Sequence, residues 1–307
     1  MTTLSHRWVI GRGLLGEAVA RARSDVPFHR RIDWSEALRS LADLSAATTE
    51  FTRRAGPLEI YWCAGKGVTS TTEQALKEEV SVFEQFLEQL AMCSPEVRSR
   101  LVLFVASSVG GVYAGCTDAP FDETTHPVPA SPYGHAKLAI ERVASERGKQ
   151  GGWRTVIGRL TNLYGPGQDL TKGQGLISTL ANSAITQQPA TIYVSLDTLR
   201  DYIFEDDAAS IISACVARMH ERAAGATVVK IVGSGRAVSV GAVVAEMTRL
   251  HRRRGFSLLG QGPSAGQALD LRVASQVWTD LDALAGTTLP EGLGRVLRAR
   301  LQTLTTS

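Results

Sequence analysis

The sequence lacks the marks of several large classes of protein. Its four cysteines form no C-x-x-C pair and lie far apart, at Cys63, Cys93, Cys116 and Cys215, so neither a zinc site nor a disulfide framework is indicated. No apolar run approaches the roughly 18 residues of a membrane span. The apolar Trp8–Ile10 follows Met1 so closely that a signal peptide does not fit. We therefore expect a soluble, cytoplasmic protein without a metal site.

An excess of charge of either sign is also missing. The 307 residues include 33 Lys and Arg against 30 Asp and Glu, a net charge of +3, which argues against a dedicated nucleic-acid-binding protein. Hydrophobic residues make up 44% and charged residues 21%, as in ordinary globular proteins. The length allows one large domain or two smaller ones with buried cores.

A glycine-rich turn follows the first predicted strand. The strand Arg7–Ile10 leads into Gly11-Arg12-Gly13-Leu14-Leu15-Gly16, and a helical run, Glu17–Arg23, comes next. In such a G-x-G-x-x-G turn the glycines let a pyrophosphate approach the N-terminus of the helix. We predict that the six residues of the turn contact a dinucleotide, although glycine turns also occur for packing alone.

The following segment carries two kinds of candidate for the cofactor's ribose. Asp33 lies 20 residues beyond Gly13, a spacing that suits an acid bound to a free 2′-hydroxyl. Arg30 and Arg31, together with Arg12, suit a 2′-phosphate instead, unless the two arginines simply face solvent. The cofactor is therefore predicted as NAD(P), with a slight preference for NADP.

Two apolar runs predict strands whose ends carry further site residues. Leu58–Cys63 is followed by Ala64-Gly65, which we count among the cofactor contacts. Leu101–Ala106 is continuous, as expected for a central parallel strand covered on both faces. It delivers Ser108 to the edge of the sheet where α/β proteins bind ligands. Ser108 is a candidate for hydrogen-bonding a substrate oxygen; a capping role in the turn is the alternative.

A Tyr and a Lys stand four residues apart in Ser131-Pro132-Tyr133-Gly134-His135-Ala136-Lys137. Pro132 suits the first turn of a helix, so Tyr133 and Lys137 share one helix face. Tyrosine alone is a poor acid or base near neutrality, since its reference pKa is about 10, but a neighbouring ammonium favours the phenolate. The pair predicts proton transfer to or from an alcohol or carbonyl oxygen. The alternative is a surface tyrosine stacked on a lysine stem.

Taken in order, these motifs resemble the extended short-chain dehydrogenase/reductase superfamily, and most closely its nucleotide-sugar epimerase/dehydratase/reductase family. The matching segments are the glycine turn, Ser107–Tyr113, Ser131–Lys137, Arg159–Gln168, Arg200–Ile203 and Val232–Val240. The resemblance implies an α/β fold with a Rossmann-type doubly wound parallel sheet and a smaller C-terminal α/β substrate-binding domain. The dinucleotide-binding domain is expected over 1–164, with 203–232 returning to it, and the smaller domain over 165–202 and 233–307.

The resemblance also implies a role for each matched residue. Tyr133 is expected to be the general acid/base, Lys137 to hold the nicotinamide ribose, and Ser108 to orient the substrate oxygen. Asn162 and Arg200 are expected to contact the diphosphate of a nucleotide sugar. The implied enzyme is an NAD(P)-dependent oxidoreductase or epimerase that reduces a 4-keto sugar or inverts C4 by hydride transfer.

The resemblance also implies a homodimer, with the helices carrying Leu76–Leu90 and Tyr133 as its faces. The first of these helices has one apolar stripe, comprising Leu76, Val80, Phe83, Leu87 and Leu90. Val82 and Phe86 form a second strip. This strip indicates either core on two sides of the helix or a dimer surface, and we slightly favour the dimer surface.

Several departures from the family pattern keep other functions open. Val109 stands where many members have Ser or Thr, and Gly110-Gly111 replace the Asp-Glu pair that dehydratases use, so a 4,6-dehydratase is not expected. A second diphosphate-binding arginine is not evident in Gly262–Asp270. Residues 25–34 are short for the usual second strand, loop and third strand, and Asp33-Trp34 could serve adenine rather than ribose. The alternatives are a reductase of a small non-sugar carbonyl compound and a catalytically silent NAD(P)-binding sensor or scaffold.

Overall fold

The computed structural model describes residues 5–65, 67, 71–170, 175–192, 194–251, 258–260 and 268–305. The strands are β1 (His6–Ile10), β2 (Leu58–Trp62), β3 (Leu101–Ser108), β4 (Arg154–Leu160), β5 (Asn162–Tyr164), β6 (Ala190–Ile192), β7 (Leu199–Phe204), β8 (Thr227–Val232), β9 (Ala237–Ser239), β10 (Leu258–Gly260) and β11 (Asp270–Leu271). The helices are α1 (Leu14–Arg21), α2 (Ala37–Phe51), α3 (Glu73–Ala91), α4 (Pro95–Ser99), α5 (Val109–Val112), α6 (Pro132–Gly151), α7 (Leu176–Thr186), α8 (Glu205–Met219), α9 (Val240–His251) and α10 (Leu289–Thr305), and a short 3-10 helix spans Thr279–Leu284.

The main sheet contains five parallel strands in the order β1-β2-β3-β4-β8. The central strand β3 was predicted from its continuous apolar run, and its residues Leu101–Val105 are buried. Because all five strands are parallel, their carboxyl ends meet at one edge of the sheet. That edge carries the glycine turn, the residues after β2 and Ser108.

Helices cover both faces of this sheet. On one face α1 and α8 pack against Val102, Phe104 and Val156. On the other face α2, α3 and α6 pack against a core that includes Leu103 and Val105. Side chains of β3 alternate between the two cores, as the two-residue repeat of a strand requires. The predicted α/β fold with a doubly wound parallel sheet is confirmed.

The second apolar strip of α3 belongs to this core. Val82 is 8% exposed and Phe86 is fully buried, because α3 lies between α2 and α6 of the same chain. The strip therefore does not form a dimer surface, and the reading favoured from the sequence is wrong for these two residues.

Strand β1 has only a minimal neighbour on its outer edge. Within residues 5–65, its backbone pairing on that side is limited to a bridge from Trp8 to Phe28, with the Phe28 N–H donating to the Arg7 carbonyl oxygen at 2.7 Å. The usual dinucleotide fold continues here with two more strands. In this chain the segment 22–36, which is short for those strands, supplies this bridge and side-chain contacts such as the Arg7–Asp25 ion pair at 2.8 Å, and α2 follows at Ala37.

A second group of elements lies beyond β4. Strands β5, β7 and β11 form one small sheet, to which β9 adds an antiparallel edge, and β6 pairs with β10. Helices α7, α9 and α10 pack together over this region around Leu180, Val243 and Leu293. Helix α8 and strand β8 lie with the main sheet, so we keep the two-domain division with its predicted boundaries as a proposal. Among the helices that the structure describes, none is both long and apolar enough to cross a membrane.

Candidate active site

The glycine turn is built so that its backbone passes close to other backbone. Gly11 has a φ of 88°, and a Cβ there would lie 2.3 Å from the Ala64 nitrogen. A Cβ on Gly16 would lie 1.9 Å from the Gly11 oxygen. A Cβ on Gly13, by contrast, would meet nothing within 4 Å, so the start of the eight-residue helix α1 faces open space. This cradle fits a dinucleotide pyrophosphate, whose charge the N-terminus of α1 would favour.

Three of the charged residues predicted to contact the adenosine end, Arg12, Arg30 and Asp33, are paired within the chain. Arg12 donates from Nε and Nη2 to the two Glu17 carboxylate oxygens, both at 2.9 Å. This hydrogen bonding holds the pKa of Glu17 below its ordinary value. Arg30 lies 3.1 Å from a Glu50 oxygen, and the neighbouring Arg31 is exposed. These arginines stand at the surface, where a phosphate could replace a carboxylate partner.

Asp33 is engaged at the start of α2. Its Oδ1 accepts from the Ser35 backbone N–H at 2.9 Å, and its Oδ2 lies 3.5 Å from Arg39. Hydrogen bonding to Ser35 lowers the pKa of Asp33, so the group is a carboxylate. Trp34 stands edge-on to Trp62, with ring centroids 6.2 Å apart, which places it beside the end of β2.

The segment after β2 connects the glycine turn to the Tyr/Lys pair. The Ala64 backbone lies against Gly11, as the close approach above shows. A Cβ on Gly65 would lie 3.4 Å from Lys137 Nζ, so Gly65 lies beside the ammonium. Burial raises the pKa of the Cys63 thiol to about 12, so this cysteine is protonated and is no nucleophile. Ala64 and Gly65 thus lie between the cradle and the proton-transfer pair, and their contact with the cofactor stays a prediction.

Tyr133 and Lys137 lie in the first turns of α6, on one face. The Ser131 side chain caps the helix by accepting from the Gly134 N–H at 3.2 Å, and Pro132 is the first helical residue. Lys137 Nζ lies 5.6 Å from the centroid of the Tyr133 ring. Lys137 is only 9% exposed, whereas Tyr133 is partly accessible. A buried ammonium beside an accessible phenol suits proton exchange with a bound ligand.

Ser108 lies next to Tyr133 and also caps the short helix α5. Its Oγ accepts from the Gly111 N–H at 3.1 Å. A Cβ added to Gly111 would lie 3.3 Å from the Ser108 Cβ and 3.2 Å from Tyr133 Cε1, so the two side chains flank the same glycine. Val109 is 2% exposed and packs in a small apolar cluster with Tyr113. The capping role is therefore observed, and the substrate role of Ser108 stays a prediction.

A buried network behind the pair was not predicted from the sequence. Glu141, one turn beyond Lys137, accepts from Arg159 Nε at 3.0 and 3.2 Å and from Nη2 at 2.7 Å. It also accepts from the Ser107 hydroxyl at 2.5 Å. Arg159 Nη1 donates to the Tyr113 hydroxyl, and burial raises the pKa of Tyr113 to about 12. The network joins β3, α5, α6 and β4 beneath the site. The four-residue spacing of Lys137 and Glu141 on one helix was the only sequence feature that pointed to this network.

The two predicted diphosphate contacts lie in the second group of elements. Asn162 stands opposite Tyr202 in the pairing of β5 with β7. Arg200 on β7 is 9% exposed and donates to three backbone carbonyl oxygens, those of Leu199 at 2.8 Å, Ala268 at 2.7 Å and Leu269 at 3.4 Å. Burial lowers the pKa of Arg200. The guanidinium thus fastens the strand to segment 268–269, and a diphosphate contact stays a prediction.

Strand β11 brings this group against the proton-transfer pair. Leu271 stands opposite Arg200 in the register of β11 with β7. Its Cδ1 would lie 3.6 Å from a Cβ on Gly110. Leu271 therefore connects the sheet that carries Arg200 with the turn that follows β3. Most of the stretch predicted to lack a second arginine, residues 262–267 of Gly262–Asp270, lies outside the described residues.

Comparisons with known proteins point to one family. The model of the NAD dependent epimerase/dehydratase family matches residues 11–231. The chain is 33% identical over 105 residues to the dTDP-4-dehydro-6-deoxyglucose reductase of Escherichia coli, covering 34% of this chain and 33% of that one. It is 30% identical over 161 residues to the UDP-glucose 4-epimerase of Azospirillum brasilense, covering 48% of this chain and 46% of that one. The matches thus span less than half the length of these relatives.

Solved structures extend the similarity to the whole chain. The UDP-glucose 4-epimerase of Thermotoga maritima, determined with UDP-glucose, has a TM-score of 0.80 at 17% identity and covers 98% of this chain and 100% of that one. RMD from Pseudomonas aeruginosa, determined with NADPH, has a TM-score of 0.73 at 20% identity with coverages of 98% and 100%. At such identities the similarity establishes the fold alone.

Proposed function

The chain belongs to the NAD dependent epimerase/dehydratase family, as its motifs predicted, and on this basis we propose that it is an NAD(P)-dependent reductase or C4 epimerase of a nucleotide-activated sugar. The observation that carries the proposal is the placement of Tyr133 and Lys137. They lie between the glycine cradle and the second group of elements, so one end of the site suits a dinucleotide and the other a substrate. A sensor or scaffold would have no use for a proton-transfer pair at this junction.

The chain's own residues have three tasks in such a reaction. The backbone of the glycine turn and of Ala64-Gly65 holds the cofactor, which supplies or takes the hydride. Lys137 donates to the nicotinamide ribose and places its ammonium beside the Tyr133 ring. Tyr133 gives its hydroxyl proton to the sugar oxygen in reduction and becomes a phenolate, and in oxidation the phenolate takes the proton back. Ser108 orients that oxygen. An epimerase uses both directions with one retained cofactor, and a reductase uses one.

The local backbone supports reduction or epimerisation over dehydration. Elimination of water needs an acid and a base next to the reacting sugar carbons, and Gly110 and Gly111 offer no side chain. Packing also restricts the room for a side chain at Gly111, because even a Cβ there would lie 3.2 Å from the Tyr133 ring.

The paired arginines support a preference for NADP. Arg12 and Arg30 stand exposed at the adenosine side with carboxylate partners that a 2′-phosphate would replace. We expect NADPH to quench tryptophan fluorescence at lower concentration than NADH. The variants Arg30→Ala and Arg31→Ala should abolish the difference. A preference for NADH that neither substitution changes would contradict the proposal.

We also propose that the chain forms a homodimer. Its contact surface is not the strip of Val82 and Phe86 but a different apolar surface. A groove of about 650 Å³ runs along α3 and α6 and is lined by Glu73, Leu76, Lys77, Val80, Pro129, Ala130, Ser131, Pro132, His135, Ala136 and Ala139. The same helices from a second copy would cover this groove and seal the start of α6 that carries Tyr133. Light scattering that shows a monomer at micromolar concentration would contradict it.

A second candidate, a reductase of a small non-sugar carbonyl compound, is favoured by Arg200. Its Nη atoms donate to three backbone carbonyls. An arginine with a purely structural role would make the same bonds, so they do not call for a diphosphate. Two assays separate the candidates. In the first, dTDP-4-dehydro-6-deoxyglucose is offered with NADH or NADPH, and nicotinamide absorbance is measured. In the second, UDP-glucose is offered with NAD, and formation of the C4 epimer is measured. Turnover of either sugar that falls at least tenfold in Arg200→Leu supports the nucleotide-sugar enzyme. Turnover of neither sugar, with cofactor bound, supports the second candidate.

A further inference from the structure

A carboxylate on a different helix faces the proton-transfer pair. Glu79 belongs to α3, which packs alongside α6, and its Oε1 lies 3.5 Å from Lys137 Nζ. The side chains of Glu79 and Lys137 are 17% and 11% exposed, so the contact is largely shielded from water. At such a site an ion pair is screened much less than on the surface.

The loop after β2 is shaped around this carboxylate. The Gly67 N–H donates to Glu79 Oε2 at 3.2 Å, which fixes one oxygen. A Cβ on Gly65 would lie 2.8 Å from the other oxygen and 3.4 Å from Lys137 Nζ. The loop therefore passes directly over both charged groups, and the glycine at 65 leaves room for them. Glu79 links the cofactor loop to the lysine.

The same two helices carry a second set of ion pairs away from the site. Further along α3, Glu84 and Glu88 pair with Arg147 of α6 at 3.3 and 2.9 Å. These side chains are 32–47% exposed, and pairs of that kind contribute little to stability. The two sites thus offer a comparison on the same pair of helices: each joins a carboxylate of α3 to a cation of α6, but Glu79 pairs with Lys137 and is more buried.

We propose that Glu79 is a positioning residue that fixes the Lys137 ammonium for its contact with the nicotinamide ribose; the inference rests on the proposed function. A lysine ammonium sits on a flexible four-carbon stem, and each binding event that must order it loses affinity. A carboxylate that is itself held by a backbone N–H orders the ammonium in advance. The loop that carries Gly65 and Gly67 is thereby joined to the lysine that shares the cofactor.

The test is a double-mutant cycle on cofactor binding. Kd for NADH and NADPH is measured by quenching of tryptophan fluorescence in wild type, Glu79→Gln, Lys137→Met and the double variant. Glutamine keeps an oxygen for the Gly67 N–H but removes the charge. We expect Glu79→Gln to weaken the preferred cofactor about three- to tenfold, as loss of preorganisation predicts. In the Lys137→Met background the same substitution should change Kd less than twofold. The control Glu84→Gln should match wild type.

The outcomes separate this inference from the function on which it rests. An unchanged or tighter Kd in Glu79→Gln overturns the positioning role, and so does an equal loss with and without Lys137, which would mark a purely structural residue. Wild-type protein that binds neither NADH nor NADPH refutes the proposed function itself, and the inference falls with it. Thermal melts of all five proteins show whether any loss of binding comes from unfolding.

Discussion

Replacing Arg159 by methionine should destabilise the protein strongly, because it strands a buried carboxylate. Glu141 and Arg159 have side chains that are 5% and 6% exposed. Glu141 would lose the N–H donors at 2.7, 3.0 and 3.2 Å and keep only Ser107. Removing one partner of a buried ion pair costs about 3–5 kcal/mol. We therefore expect Arg159→Met to lower the free energy of unfolding by about 3–5 kcal/mol.

The assay is urea denaturation followed by tryptophan fluorescence and far-UV circular dichroism. Arg147→Met is the matched control, since Arg147 pairs with exposed carboxylates, and it should cost no more than about 1 kcal/mol. The double variant Glu141→Leu/Arg159→Met should recover part of the loss, because no unpaired charge remains. A loss below about 1 kcal/mol in Arg159→Met, or a double variant much less stable than the single one, would refute this reasoning.

Three further predictions concern pH, packing and the cradle. Burial raises the pKa of Glu205 to about 7 from 4.5, so the folded state binds a proton that the unfolded state releases. The free energy of unfolding of wild type should therefore fall as pH rises from about 5 to 8. Glu205→Gln should flatten this fall, by up to about 3 kcal/mol at pH 8, and an unchanged pH dependence of urea unfolding would contradict the assignment. Gly111→Ala should lower kcat, because its Cβ would lie 3.2 Å from the Tyr133 ring, while cofactor Kd stays unchanged; equal kcat would show that the ring moves freely. Gly16→Ala should abolish cofactor binding or folding, since its Cβ would lie 1.9 Å from the Gly11 oxygen, and normal NADH titration of a folded variant would contradict the tight turn.

The sequence correctly predicted those elements that a short stretch of residues determines. Strand β3 followed from a continuous apolar run, which a strand buried on both faces requires. The start of α6 followed from Pro132, and the shared face of Tyr133 and Lys137 from helical spacing. The brevity of segment 25–34 predicted that β1 would lack the usual outer strands.

Features that depend on packing between distant segments were missed. The strip at Val82 and Phe86 was read as a dimer surface, because an apolar pattern does not tell whether its cover comes from the same chain. Glu79 reaches Lys137 only because α3 and α6 pack side by side, a contact 58 positions apart in the chain. Two of the three carbonyl partners of Arg200, those of Ala268 and Leu269, likewise come from a segment distant in sequence.

The most direct test of the proposed proton transfer is the Tyr133→Phe variant. Its turnover is measured on whichever of dTDP-4-dehydro-6-deoxyglucose and UDP-glucose the wild-type protein converts, beside a fluorescence titration with the preferred cofactor. General acid/base catalysis contributes about 10²- to 10⁴-fold, so kcat should fall by that factor while cofactor Kd stays within about twofold. Wild-type turnover in the phenylalanine variant, with cofactor bound normally, would contradict the role of Tyr133 and with it the central claim.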